Sequence, residues 1–223
     1  MPQSELVVLC TPAAGVPAYL DQVRTFCGKQ TAVTDVASTK AEICTHARKA
    51  WAHPYRFIGS HPMAGSEKYG PEFASPDLYT GSVCFVEAKN DHAPDAYDTV
   101  SRLWESVGAN VVPVDPVEHD RFVARTSHAP HTLSAVLAKL VAGDPRVRPF
   151  AGRGYLDMTR IAEGRPEIWR DICLTNRDAI ADALADARTS LDAVLRAIEA
   201  NDADALFRFF EEGRDARLGL PDE

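Results

Sequence analysis

This chain has little positive charge. Its 24 Lys and Arg stand against 32 Asp and Glu, for a net charge of -8 and a pI near 5.4. That balance leaves no electrostatic footprint for nucleic acid or an anionic membrane. Long apolar runs are missing too, and no charged N-terminal segment leads into one. The expectation is a chain with no signal peptide and no transmembrane span, working in the cytoplasm. Cysteine is sparse and odd in number, at 10, 27, 44, 84 and 173, with no C-x-x-C. Such a set gives neither a disulfide framework nor a zinc site, and reads as small buried hydrophobes in a reducing cytosol. Repeats and low-complexity segments are absent as well. What remains is 223 residues, 45% of them hydrophobic, enough for one large domain or two small ones, each with a core.

The first half alternates strand and helix signals. Glu5 to Pro12 is an apolar run closed by Thr11-Pro12 and reads as a buried parallel strand. Val16, Leu20, Val23 and Cys27 have helical spacing and stop at Gly28. Thr31 to Val36 is β-branched and reads as a strand. Thr39-x-x-Glu42 then forms a capping box that opens a helix to about Trp51. Tyr55 to Ile58, Ser82 to Glu87 and Ala109 to Val114 read as further strands, and Pro94 to Val107 as a helix capped by Gly108. The alternation is a doubly wound pattern. Yet no G-x-G-x-x-G turn opens it, so the usual anchor for a dinucleotide pyrophosphate is not in this sequence.

From Asp115 the texture becomes almost wholly helical. Asp115-Pro116 is an N-cap followed by Pro at the first helical position. Pro130 should kink the helix that follows. Pro166 to Ala200 reads as one long apolar-striped helix, and Ala203 to Gly213 as a second. The domains expected are therefore 1–114, a partial doubly wound sheet, and 115–223, all-α.

The chemistry concentrates in Gly59-Ser-His-Pro-Met-Ala-Gly-Ser-Glu-Lys-Tyr-Gly-Pro71, which holds three Gly, two Pro and several titratable residues after a short strand. Such a stretch reads as a loop beyond a strand's carboxyl end, where ligands bind in open α/β sheets. The bland alternative is a surface turn with an incidental His. His61-Pro-Met-Ala-Gly-Ser-Glu-Lys68 resembles the signature of the prephenate dehydrogenase family, which includes arogenate dehydrogenases. Two later segments also resemble the family: Thr126-Ser-His-Ala-Pro-His-Thr132 and Gly152 to Trp169.

The resemblance implies a Rossmann-like cofactor domain followed by a helical dimerisation domain. Against the family pattern, the chain opens at what looks like the fourth strand of the cofactor domain. The implied reaction is NAD- or NADP-dependent oxidative decarboxylation of prephenate, a small dicarboxylate, to 4-hydroxyphenylpyruvate. His61 would accept the ring hydroxyl's proton, with Ser38 orienting it and also facing the nicotinamide beside Thr11 and Pro12. The bland reading of Ser38 is a helix N-cap. Arg160 would hold a carboxylate, oriented by Asp157; the alternative is an Arg160–Asp157 ion pair alone. His131 would contact substrate, and His128 less directly. Metal ligation by the two is a further reading, but no third ligand has suitable spacing. Glu67 and Lys68 would line the mouth, or form a solvated ion pair. Trp169 reads as core or interface. Arg153 and Leu156 depart from the family pattern. The implied partner is a second copy of the chain, and no metal is expected. Three alternatives stand beside this reading: arogenate as substrate, a non-catalytic helical dimer module, and a β-hydroxyacid dehydrogenase.

Overall fold

A computed structural model describes residues 4–64, 70–88 and 91–220. The chain divides into two compact units, Met1–Ile180 and Ala181–Glu223.

The first unit is built on two small sheets. In the first, β1 (Leu6–Leu9), β2 (Ala32–Asp35) and β3 (Phe57–Ile58) run parallel in that order. In the second, β4 (Ser60–Pro62) pairs antiparallel with β5 (Val83–Glu87), which pairs in parallel with β6 (Asn110–Val114). Pro113 falls on β6, an edge strand, where a missing N–H does not break the ladder.

Side-chain alternation along β2 and β3 feeds two cores. Val33 and Phe57 pack against α1 (Val16–Phe26) and α2 (Ala41–Ala50) through Val16, Leu20, Val23, Ile43 and Ala47. Ala32 and Ile58 join Val86 and Cys84 under α3 (Pro94–Ser106), through Ala96, Val100 and Trp104. Helices thus cover both faces of the parallel strands, as in a doubly wound fold. Each fully buried Leu, Ile or Phe here contributes about 1.5–3 kcal/mol.

Two expectations for this half need correction. The stretch from Gly59 is not simply a loop past a strand, because Ser60–Pro62 is itself a strand and belongs to the second sheet. Gly59 is the joint. A Cβ there would stand 2.6 Å from Cys44 Sγ, so only glycine lets the chain cross this close to α2. Nor do Ser38 or Thr39 cap α2. The N-cap is Lys40, and the carboxylate that accepts from Lys40 N (2.8 Å) and Ala41 N (2.9 Å) belongs to Asp120. Thr39 Oγ1 instead meets Thr175 Oγ1 at 3.0 Å. The cysteines are all free, but only Cys44 and Cys84 are buried, while Cys10 is exposed.

α4 (Pro116–Val123) starts as expected, with Asp115 accepting from Val117 N and Glu118 N. A π-helical turn, Ala124–His128, then leads into α5 (Ala129–Ala142) without a break in helical geometry, so the departure from the α ladder lies just ahead of Pro130, with Ala129 N bonding to the Ala124 carbonyl. α6 (Arg153–Thr159) and a 3₁₀ turn, Arg160–Glu163, follow. The long helix expected from Pro166 is interrupted at Asn176, giving α7 (Pro166–Thr175) and α8 (Arg177–Glu199). Asn176 has left helical geometry (φ -122°, ψ 36°), and its side chain donates to the Asp120 carbonyl at 2.8 Å.

In the second unit, Asn201 takes a left-handed conformation (φ 50°), and Asp202 caps α9 (Ala203–Leu218) by accepting from Ala205 N. α9 runs past the expected Gly213. Leu191, Leu195 and Ile198 make an exposed apolar stripe on α8, and Phe207 and Phe210 are exposed on α9.

Candidate active site

Beyond β4, within the first unit, lies a cavity of about 540 Å³. Ser38, His61 and Met63 line it from the sheet half; Ser127, His128, His131, Arg160, Arg165 and Trp169 line it from the helical half. Sequence positions as far apart as Ser38 and Trp169 thus face one space, and its volume suits a small organic molecule.

His61 is buried in β4 with an extended backbone, held by ladder pairing with Phe85. Its ring is fixed from behind. His61 Nδ1 lies 2.9 Å from His119 Nε2, and His119 Nδ1 lies 2.8 Å from Asp120 Oδ1. Phe85 packs edge-on against the His119 ring, at 5.1 Å between centroids. Burial above all, with the neighbouring His119, Lys40 and His128 acting in the same direction, holds the His61 pKa well below the ordinary imidazole value. His61 is therefore a neutral base at physiological pH, as proton acceptance requires.

Beneath His61, Lys40 forms a buried ion pair with Asp35. Asp35 also accepts from Ala37 N and Ser60 N, so one carboxylate ties β2, β4 and the approach to α2 together. Ser60 Oγ donates to the Asp35 carbonyl and accepts from Trp104 Nε1. This network sets the strand that carries His61.

Opposite, His131 stacks on Trp169, with centroids 3.3 Å apart and planes inclined by 17°. Burial lowers the His131 pKa to about 4. His128 is buried beside it, and Asn176 Nδ2 points at its Nδ1 from 3.2 Å. Burial drives the His128 pKa to about 4 against the opposing pull of Asp120. Among the described residues, no group of three His, Cys, Asp or Glu side chains is placed to hold a metal ion.

The expected residues distribute unevenly. His61, Ser38, His131, His128 and Arg160 all line the cavity. Asp157 is exposed on α6, 3.7 Å from Arg153, and is not among the described lining residues. Trp169, read as core or interface, lines the cavity instead. Glu67 and Lys68 lie outside the described residues. Thr11 and Pro12 follow β1, and Ser38 follows β2, so all three leave the same edge of the parallel sheet. Thr11 Oγ1 is buried with no hydrogen-bond partner among the described residues. A buried hydroxyl left unsatisfied at a strand's carboxyl end fits a polar ligand such as a dinucleotide. Sequence reading missed His119, Asp120 and Arg165. A His-Asp doublet four and five residues past the Asp115 cap was the available signal, placing two polar groups one turn into an amphipathic helix.

Known proteins resemble the chain along its length. Residues 1–113 match the family model described as prephenate dehydrogenase, nucleotide-binding domain, and residues 115–212 match prephenate dehydrogenase, dimerization domain. A prephenate dehydrogenase of Bacillus subtilis (strain 168) is 32% identical over 98% of this chain, which spans 60% of that relative's length. A crystal structure of prephenate dehydrogenase from A. aeolicus, in complex with hydroxyphenyl propionate and NAD+, superposes with a TM-score of 0.89 at 27% identity, covering 97% of this chain and 77% of that one. The Synechocystis arogenate dehydrogenase structure gives a TM-score of 0.83 at 26% identity, covering 97% and 79%. Among the described residues, no helix is long and apolar enough to cross a membrane.

Proposed function

The chain belongs to the prephenate dehydrogenase family, and on that premise we propose that it catalyses oxidative decarboxylation of prephenate with NAD or NADP. The observation that carries this reading is the shared cavity: His61 from the sheet half and Arg160 from the helical half line one space of about 540 Å³.

In this reading residues 1–114 serve the cofactor and residues 115–223 serve substrate and dimerisation. Thr11, Pro12 and Ser38 hold the nicotinamide end of the cofactor, which supplies the hydride acceptor when bound. His61 accepts the proton of the ring hydroxyl as the hydroxyl-bearing carbon is oxidised. Carbon dioxide leaves, the ring becomes aromatic, and the proton returns to the phenolic oxygen. Because aromatisation drives the chemistry, the residues chiefly align the reactants and manage that proton. Arg160 and Arg165 offer two guanidinium groups to a dicarboxylate, for which their planar forks are suited. The His131–Trp169 stack forms a flat wall for the ring. The exposed apolar stripes of α8 and α9 supply the dimer contact, each copy covering the other's.

Arogenate is the second reading, supported by the likeness to the Synechocystis enzyme. The two substrates differ in a keto against an amino side chain. Titration with NAD and NADP, followed by turnover with prephenate and with arogenate, tests both. The expected result is nucleotide binding and faster reduction with prephenate. Failure of both nucleotides to bind sinks the dehydrogenase reading.

A further inference from the structure

The rings of His61 and His119 and the carboxylate of Asp120 form a hydrogen-bonded line, and its direction can be deduced from the outer end. Asp120 accepts two backbone N–H groups, Lys40 N at 2.8 Å and Ala41 N at 2.9 Å. A peptide nitrogen can only donate, so both carboxylate oxygens are fixed as acceptors. His119 Nδ1, 2.8 Å from Asp120 Oδ1, must therefore carry a proton and donate it. In neutral imidazole the other nitrogen is then an acceptor. That nitrogen, His119 Nε2, faces His61 Nδ1 at 2.9 Å, so His61 Nδ1 carries the proton between them. His61 Nε2 is left with its lone pair.

We propose that His119 and Asp120 are positioning residues that lock His61 in the tautomer whose Nε2 is bare, making that atom the proton acceptor of the reaction. The inference rests on the dehydrogenase reading of the cavity. It assigns work to two residues that line none of it, since both are buried and neither is among the described lining residues. When the substrate O–H bond breaks, its electron pair stays on oxygen and the proton bonds to His61 Nε2. The Nδ1 proton can then pass to His119 Nε2, which places the positive charge on an imidazolium against the Asp120 carboxylate. The charge thereby ends on the ring bonded to Asp120, while Lys40 stays paired with Asp35 and His128 keeps its hydrogen bond from Asn176. Return of the proton to the phenolic oxygen reverses both transfers.

Nitrogen-labelled histidine NMR of the full chain reads the tautomer without turnover. The wild type should show His61 protonated at Nδ1 and bare at Nε2. In His119→Phe, which keeps the ring but removes both nitrogens, His61 should lose that preference and kcat should fall on the order of 10²-fold with KM little changed. His119→Gln should recover most of it, because the amide can accept from His61 and donate to Asp120. Wild-type His61 protonated at Nε2 overturns the proposal, even if His119→Phe does not fold. Equal kcat values for the Phe and Gln variants also overturn it. A wild type with the proposed tautomer and no dehydrogenase activity defeats the functional reading alone, so the two failures are distinguishable.

Discussion

His131 and Trp169 lie face to face, 3.3 Å between ring centroids, and Gly164 is what permits it. A Cβ built on Gly164 would stand 2.6 Å from Trp169 Nε1 and 3.0 Å from His131 Cε1. Both rings are pinned between α5 and α7, so neither can yield cheaply. Gly164→Ala is expected to cost about 1–3 kcal/mol by overpacking and to open the stack, raising KM severalfold. Thermal melting and steady-state kinetics check the two effects separately. An alanine variant with unchanged KM would show that the wall does not touch substrate.

His61→Asn keeps a polar group of similar bulk in β4 and removes the base. Activity should fall about 10²–10⁴-fold through kcat, with nucleotide binding unaltered. A loss of less than tenfold, measured by turnover at saturating substrate, would falsify the assignment of His61 as proton acceptor.

Arg160 is expected to bind more than it catalyses. Arg160→Ala should raise KM by a larger factor than it lowers kcat, because a carboxylate clamp acts on ground state and transition state alike. Arg160→Lys should recover only part of the affinity, since an ammonium cannot make the paired contact of a guanidinium. Equal proportional losses in kcat and kcat/KM with no change in KM would place Arg160 in the chemical step instead.

What could be read in the chain, and what could not, divides by distance along it. The Asp115-Pro116 cap was legible because both partners are local. His61 was legible because its neighbourhood is compositionally abnormal for a core strand. The need for glycine at the joint between the sheets was hidden, because what demands it is a sulfur on α2. The cap of α2 was hidden for the same reason: Thr39 and Glu42 form the local pattern, but Asp120, eighty residues on, makes the bonds. Asn176 is one more polar residue in a helical stretch of sequence, and only the fold brings its amide to Asp120 and His128. Residue types that suggest chemistry are visible one at a time, whereas the partners that tune them arrive through tertiary contacts.

Those partners predict how the fold responds to acid. Asn176 Nδ2 is fixed as the amide nitrogen because it donates to the Asp120 carbonyl, and it therefore also donates to His128 Nδ1. His128 can accept only while that nitrogen is unprotonated. Burial lowers its pKa from 6.5 to about 4, against the opposing pull of Asp120, and burial shifts His61 in the same direction. Above about 6.5 the folded and unfolded chains both hold a neutral imidazole, so the group contributes no pH dependence. Between about 6.5 and 4 the unfolded chain takes up a proton that the folded chain refuses. Stability must therefore decline as the pH falls through that window, by up to about 3 kcal/mol from His128 alone. Denaturant titrations across the window measure the slope. His128→Gln, whose side-chain carbonyl can still accept from Asn176, should flatten it, and the same slope in wild type and variant would mean that other groups govern the acid transition.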